Sequence, residues 1–278
     1  MNCMVCFSGN RPLFKNKQNN FLTKIEKGIN KMTTNNDYVN ILGITFITKR
    51  FEEMVSLLAD RVASKEKTFI VTANPEIVMH AKKHDDYMEA IKDADYIVPD
   101  GHGIILASRM LNTPIQERVT GYDLTIRLLE LSNQNNWSVY LLGGKEEVNA
   151  AAAANIEKRY PQLTLVGRHH GFFDWQDDKV PSEIERLQPD IVLVALGVPR
   201  QELWTATHID RFRHGIFIGV GGSIDVLAGT VKRAPKIWQT LRVEWLYRLF
   251  KQPSRWRRML ALPEFVLEVL KMKFSGKK

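Results

Sequence analysis

Short apolar runs alternate, from Tyr38 onward, with longer stretches in which apolar residues recur every three or four positions. The short runs are rich in β-branched residues, which is typical of strands buried on both faces of a parallel sheet. They predict strands at Ile41–Ile47, Thr68–Thr72, Tyr96–Val98, Ser138–Leu142, Leu163–Val166, Ile191–Ala195 and Ile216–Val220. The longer stretches predict helices at Phe51–Ser64, Pro75–Lys82, Asp86–Lys92, Gly103–Leu111, Tyr122–Ser132, Lys145–Arg159, Pro181–Arg186 and Arg200–Ile209. This alternation indicates an α/β fold, a layered α/β/α Rossmann-like domain with a mostly parallel sheet, over residues 38–231.

The pattern changes after Gly229. A helix is predicted from Lys236 to Lys251, because its apolar residues fall on one face at helical spacing. These residues are Trp238, Leu241, Trp245 and Leu249. Pro253 interrupts the pattern, a basic segment follows, and Pro263 begins a last helix that reaches about Met272. Residues 232–278 therefore predict a basic helical appendage, distinct from the α/β body.

Residues 1–37 are rich in Asn and Lys and have no sustained hydrophobic period, so we predict a flexible N-terminal extension. Met32 lies within it as a candidate alternative start. The only two cysteines, Cys3 and Cys6, also lie there. A zinc site needs about four ligands and no second pair exists, so we interpret both as incidental thiols of a reducing compartment.

Composition is that of a globular protein, with 44% hydrophobic and 25% charged residues among 278. No run approaches the roughly 18 apolar residues that cross a bilayer, and the first residues do not resemble a secretory signal. These observations predict a cytoplasmic protein. The sequence leaves the oligomeric state open, a homo-oligomer included.

Charge is distributed unevenly along the chain. Residues 232–278 hold 13 Lys and Arg against three Asp and Glu, whereas residues 38–231 carry a net charge of −6. This asymmetry predicts an anionic partner for the C-terminal end: phosphates, nucleic acid or acidic lipid. Trp residues lie among the arginines, and because Trp and basic residues favour the headgroup region, we prefer an anionic membrane surface.

Polar residues follow several of the predicted strands, where ligands usually gather in α/β sheets. Thr72 and Asn74 follow one strand and precede a helix, although Asn74 before Pro75 is also typical of a helix cap. Asp100 follows another strand, beside glycines, where it can act as a general base or as a turn residue. The Leu142-Gly143-Gly144 turn is a weak candidate phosphate cradle.

Arginines are the candidate groups for binding a diphosphate, because the guanidinium grips phosphate in a bidentate manner. Arg118 stands in a charged segment before a helix, and Gln201 stands at the start of another. In the appendage, Arg248, Arg255 and Arg258 can approach one face if the chain bends at Pro253. The alternative interpretation is that these three arginines only form part of a charged helix exposed to solvent.

Taken in order, these segments resemble the WecG/TagA/CpsF family, glycosyltransferase family 26. The segments that carry the resemblance are T-A-N-P-E (72–76), P-D-G-H-G (99–103), E-R-V-T-G-Y-D (117–123), L-G-G (142–144), G-V-P-R-Q-E-L-W (197–204), G-V-G-G-S-I-D-V-L-A-G-T-V-K-R-A-P (219–235) and E-W-L-Y-R-L (244–249). Each is common alone, but the ordered set is specific, and it extends from about Tyr38 to about Leu270. Residues 1–37 have no counterpart, and Ile224 replaces the aromatic residue usual there, which predicts an altered pocket wall.

The resemblance implies an inverting, metal-independent transfer of N-acetylmannosamine, or a related sugar, from a UDP-N-acetylhexosamine to a polyprenyl-diphosphate-linked acceptor. In the teichoic-acid branch of the family, the acceptor is N-acetylglucosaminyl-diphospho-undecaprenol. It further implies Asp100 as the general base, a sugar site lined by Thr72 and Asn74, and Arg118 and Gln201 in the same pocket. Arg248, Arg255 and Arg258 would close over the UDP diphosphate. With a lipid-linked acceptor, we expect the enzyme to lie on the inner face of the cell membrane.

Two other classes of protein are alternatives. A nucleic-acid-binding α/β protein would account for the basic tail but not for polar loops at the strand ends of an acidic body. A dehydrogenase would carry the G-x-G-x-x-G fingerprint, which is absent. We therefore expect no nucleic-acid partner and no cofactor.

Overall fold

A computed structural model describes residues 37–235, 237–238, 244–251 and 259–275. In the segment 244–251, the side chains at positions 244, 245, 248 and 251 are outside the description. Apart from Asp37, all described residues belong to the second of two units into which the chain divides, Tyr38–Lys278. Residues 1–36 of the extension predicted for 1–37, with Cys3, Cys6 and Met32, therefore lie outside the described residues.

A sheet of six parallel strands forms the centre of this unit. Its strands are β3 (Lys67–Ala73), β4 (Tyr96–Pro99), β5 (Ser138–Gly143), β6 (Thr164–His169), β7 (Ile191–Ala195) and β8 (Gly215–Gly219). They lie in the order β4-β3-β8-β7-β5-β6, and every pairing is parallel. All residues of β7 and β8 are buried, as their continuous apolar sequences predict.

The first predicted strand, Ile41–Ile47, is wrong. The chain instead forms an antiparallel hairpin, β1 (Tyr38–Ile41) and β2 (Ile44–Ile47), outside the main sheet. Leu42 and Gly43 have φ angles of 53° and 88°, so both turn residues are left-handed, as a tight hairpin requires. The sequence did not indicate this turn, because it lies within an apolar run and leucine is not a usual residue for the left-handed conformation.

Helices cover both faces of the sheet. The helices that the structure describes are α1 (Phe51–Ala63), α2 (Pro75–Lys83), α3 (Asp85–Lys92), α4 (His102–Met110), α5 (Gly121–Asn135), α6 (Glu146–Arg159), α7 (Lys179–Leu187), α8 (Arg200–His208), α9 (Ser223–Leu227), α10 (Glu244–Lys251) and α11 (Ala261–Phe274). Between β3 and β8, every helix lies within three residues of its predicted bounds at each end. The short helix α9 was not predicted.

Two apolar clusters, one on each side of the sheet, form the core. One side packs α2, α3, α4, α7, α8 and α11 against the sheet, and the other packs α1, α5, α6 and α9. The predicted α/β/α layering is thereby confirmed. Among the described helices, none combines the length and the apolar character needed to cross a membrane.

Helix α11 is part of the core rather than a loose tail. Its Phe265 and Val269 are 1% and 0% exposed and pack in the cluster that holds α2 and α4. Two ion pairs also join α11 to α2, Lys82 with Glu268 and, at 2.7 Å, Lys83 with Glu264. Although the chain after Gly229 has its own charge and period, its last helix shares the core of the α/β body.

We therefore expect Phe265→Ala to lower the free energy of unfolding by about 3–5 kcal/mol, the usual effect of emptying a buried aromatic site. The matched control is Leu267→Ala on the same helix, since Leu267 is 59% exposed and should contribute less than about 0.5 kcal/mol. Urea denaturation followed by circular dichroism measures both. Equal, small losses in the two variants would show that α11 does not share the core in solution.

Candidate active site

A cleft of about 820 Å³ opens at the carboxyl ends of β3, β4 and β8. Segments that follow the strands line it, together with residues of α2, α4, α5, α8, α10 and α11. Five residues predicted from the sequence lie in this lining: Thr72, Asn74, Asp100, Arg118 and Gln201. The parallel sheet brings them together because the carboxyl ends of its strands meet at one edge.

The end of β3 contributes Thr72 and Asn74. The Thr72 hydroxyl is buried and donates a hydrogen bond of 2.9 Å to the carbonyl oxygen of Gly219, which ties β3 to the end of β8. The Asn74 Oδ1 accepts a hydrogen bond of 3.1 Å from the Ile77 N–H and caps α2. Asn74 thus has the capping role that its sequence position favoured, and it also borders the cleft.

The end of β4 contributes Asp100. Its N–H donates to the Ala73 carbonyl oxygen at 2.9 Å, which continues the pairing with β3 and holds the residue at the cleft. Its Oδ2 lies 3.4 Å from the N–H of Gly121, the first residue of α5. A carboxylate at this position is stabilised by the positive end of a helix and still borders the cleft.

Several helix N-termini border the cleft, those of α2, α4 and α5 among them. Glycines allow the close approach. A Cβ on Gly103 would lie 2.5 Å from Pro75, and a Cβ on Gly121 would lie 2.9 Å from the Thr72 hydroxyl. Because helix N-termini attract anions, this end of the cleft suits a phosphate or diphosphate group.

A buried polar pair, Gln201 and Glu202, lies beneath the cleft. The two side chains are 3% and 1% exposed, and the Gln201 Nε2 donates a hydrogen bond of 2.7 Å to the Glu202 Oε1. Burial raises the pKa of Glu202 to about 7, although the hydrogen bond from Gln201 opposes that shift. The Tyr87 hydroxyl lies next to this carboxyl without the geometry of a hydrogen bond.

Arginines also border the cleft. Arg118 is half-buried there, and the sequence did not single out its companions Arg109 and Arg233. The Arg233 guanidinium binds the Asp123 carboxylate in a bidentate manner, at 2.8 and 3.0 Å, and lies 4.7 Å from the centre of the Tyr122 ring. One indication of this pair was present in the sequence, since Arg233 and Asp123 each lie in a segment that carries the family resemblance.

The predicted arginines of the appendage lie outside what the structure describes. Arg248 is in α10, but its side chain is not described, and Arg255 and Arg258 belong to the segment 252–258. The appendage nevertheless reaches the cleft, because Leu249 of α10 and Leu262, Pro263 and Val266 of α11 line it. This apolar wall was not predicted from the sequence.

The Gly143–Gly144 turn does not join the lining of this cleft. A Cβ on Gly143 would lie 2.2 Å from the Ala195 carbonyl oxygen, and Gly143 has a φ of 122°, so the glycine serves close backbone packing.

The expectation that Ile224 forms part of the pocket wall is wrong. Ile224 is 2% exposed and packs beside Gly144 in the core instead of forming a cleft wall.

Acidic clusters are the remaining candidates for metal ligands. Among the described residues, no group of three or more His, Cys, Asp or Glu side chains is placed to hold a metal ion. The only D-x-D sequence of the chain, Asp93–Asp95, precedes β4 and so lies at the opposite end of that strand from Asp100. There the Asp95 Oδ2 accepts a hydrogen bond of 2.8 Å from the Phe69 N–H.

Comparisons with known proteins match most of the chain. The model of the family described as "Glycosyl transferase WecG/TagA/CpsF family" matches residues 39–278. The chain is 39% identical, over 247 residues, to proteins of Staphylococcus aureus strains MRSA252 and MW2. The match covers 88% of this chain and 97% of each relative, and both are named N-acetylglucosaminyldiphosphoundecaprenol N-acetyl-beta-D-mannosaminyltransferase. These names give no support to the nucleic-acid-binding alternative.

Proposed function

The chain belongs to the WecG/TagA/CpsF family of glycosyl transferases, and from that premise we propose that it moves N-acetylmannosamine, or a related N-acetylhexosamine, from UDP to N-acetylglucosaminyl-diphospho-undecaprenol. The observation that carries the proposal is the identity of 39% over 97% of relatives named for this reaction. The cleft supports it, because one edge combines a carboxylate with several helix N-termini.

Inversion in one step requires a base on the acceptor side of the sugar. Asp100 is our candidate, since it borders the cleft at the end of β4. Its carboxylate removes the proton from the acceptor hydroxyl while the hydroxyl oxygen attacks the anomeric carbon of the donor sugar. The bond from that carbon to the diphosphate breaks, and UDP leaves with the electron pair, so the configuration inverts.

Negative charge builds up on the departing UDP and must be stabilised. The N-termini of α2, α4 and α5 supply positive dipole ends at the cleft. We propose that Arg118 and the appendage arginines Arg248, Arg255 and Arg258 supply the cations. Thr72 and Asn74 would then border the transferred sugar, beside Asp100.

The decisive experiment offers the protein a panel of UDP-sugars and a short-chain, water-soluble N-acetylglucosaminyl-diphosphate lipid, in excess EDTA. We expect a disaccharide product from UDP-N-acetylmannosamine and none from donors that lack the N-acetyl group. Mass spectrometry identifies the product, and released UDP gives the rate. No transfer from any N-acetylhexosamine donor would contradict the proposed function, and activity restored only by Mg²⁺ or Mn²⁺ would contradict the metal-independent mechanism.

We also propose that the enzyme works as a peripheral protein on an anionic membrane surface, the inner face of the cell membrane. The described C-terminal residues expose Phe250, Leu260, Leu267 and Phe274, which are 57–81% accessible. Leu267 and Phe274 lie seven residues apart, so they share one side of α11, away from the buried Phe265, and Leu260 directly precedes this helix. Basic residues of the same region add electrostatic attraction of about 1 kcal/mol each.

Co-sedimentation with vesicles tests this proposal. We expect binding to vesicles that contain phosphatidylglycerol, weaker binding at high salt, and a roughly tenfold lower partition coefficient for Leu267→Ser, which removes an inserting apolar group. Phe172→Ser is the matched control, because Phe172 is 67% exposed but lies on the α/β body. Equal losses for the two variants, or binding indifferent to lipid charge, would contradict the proposal.

A further inference from the structure

The buried pair Gln201 and Glu202 lies beneath the cleft, and the proposed mechanism gives Glu202 no role. We propose that Glu202 is a positioning residue, which holds the Gln201 amide so that its Oε1 accepts a hydrogen bond from a hydroxyl or amide N–H of the transferred sugar. The inference rests on the proposed function, since it names one contact within the same site.

The amide of Gln201 has its two ends in different surroundings. Its Nε2 donates to the Glu202 Oε1 at 2.7 Å, whereas its Oε1 is buried and has no hydrogen-bond partner among the described residues. A buried amide oxygen without a partner costs about 1–3 kcal/mol. Because Gln201 belongs to the residues that line the cleft, a bound ligand can supply the missing donor.

The surroundings of the amide place Oε1 toward the ligand. A Cβ on Gly219 would lie 2.7 Å from the Gln201 Nε2, and a Cβ on Gly221 would lie 3.8 Å from its Oε1. The oxygen is therefore the end of the amide nearer to Gly221, in the turn after β8, and Gly221 also lines the cleft. The absence of a side chain at Gly219 leaves room for the amide at the end of the strand.

Glu202 determines which end of the amide faces this turn. The Glu202 Oε1 accepts the hydrogen bond from Nε2 whether or not the other carboxyl oxygen carries a proton, so it holds the Nε2 end of Gln201 and leaves Oε1 for the ligand. The carboxyl is fixed in turn by burial, since it is 1% exposed on the first turn of α8. Without an acceptor at this position, the amide can rotate and present its N–H groups to the sugar.

A double-mutant cycle tests the inference, with kcat and KM measured separately for the UDP-sugar at saturating acceptor. We expect Gln201→Met and Glu202→Met each to raise KM about tenfold, the effect of one lost hydrogen bond, with kcat little changed. In the Gln201→Met background, Glu202→Met should raise KM no further, because Glu202 acts only through that amide. Thermal melting shows whether each variant remains folded.

The conservative variant Glu202→Gln provides the rescue. Its side-chain oxygen still accepts from the Gln201 Nε2, and its NH₂ group meets the adjacent Tyr87 hydroxyl, so KM should stay within about twofold of the wild-type value. Additive effects of the two Met substitutions, or a wild-type KM in a folded Glu202→Met protein, would overturn the inference while the proposed function stands. If the wild-type protein transfers no sugar, both fall together.

Discussion

Replacing Asp100 by asparagine is expected to lower kcat by about 100-fold or more, while the KM for the UDP-sugar changes little. The substitution keeps the shape of the side chain and one oxygen near the Gly121 N–H, but it removes the basicity that the acceptor hydroxyl needs. Initial rates with the water-soluble acceptor measure the effect. Release of UDP and formation of the disaccharide should fall together.

A matched control lies at the other end of the same strand. Asp95 directly precedes β4, as Asp100 directly follows it, and the Asp95 carboxylate also accepts a hydrogen bond from a backbone N–H. Asp95→Asn should leave kcat within about twofold of the wild-type value, since it is not at the cleft. If Asp100→Asn instead retains its turnover and only loses about 1 kcal/mol of stability, Asp100 is a structural turn residue.

Substitution of Arg255 or Arg258 by alanine is expected to lower kcat on a soluble acceptor by roughly 100-fold each. The physical reason is charge: each guanidinium can neutralise part of the diphosphate as UDP departs, and a charged hydrogen bond of this kind is made most strongly in the transition state. A soluble acceptor removes membrane attachment from the measurement. The loss should therefore appear without any lipid present.

The control for these variants is Arg257→Ala, which removes one positive charge from the same basic segment. We expect it to weaken binding to anionic vesicles by about 1 kcal/mol and to leave turnover on the soluble acceptor unchanged. If all three alanine variants lose turnover equally, the segment acts through its overall charge. If none does, Arg255 and Arg258 serve only attachment, and their assignment to the diphosphate is wrong.

Sequence by itself determined most elements of the α/β body and most of the strand-end candidates. Buried parallel strands need unbroken apolar runs, as in Ile191–Ala195, and surface helices need a 3.6-residue period, so both leave local signatures. Strand ends of a parallel sheet meet at one edge, which is why Thr72, Asp100 and Gln201 could be expected together before any coordinates. Their chemical roles remain predictions.

Tertiary structure alone decided the features that depend on contacts between distant segments. The turn at Leu42–Gly43 divides an apolar run that has no turn residue at its first position. The hydrophobic pattern of β8 likewise does not show that this strand lies beside β3. Every buried strand of a parallel sheet has the same apolar pattern, whichever strands are next to it. The strand order, and with it the hydrogen bond from Thr72 to Gly219, arises only when the sheet assembles.

The same reason explains what was missed at the cleft. The sequence predicts α11 only as a separate helix. Its local pattern does not show that Phe265 and Val269 pack in the core beside α2. Gln201 and Glu202 are adjacent in the sequence, but the sequence does not show that their side chains are buried. Only in the buried pair does the hydrogen bond orient one end of the amide. Sequence periodicity determines the elements and the edge where the chemistry gathers, whereas long-range packing determines which groups meet there and how each is oriented.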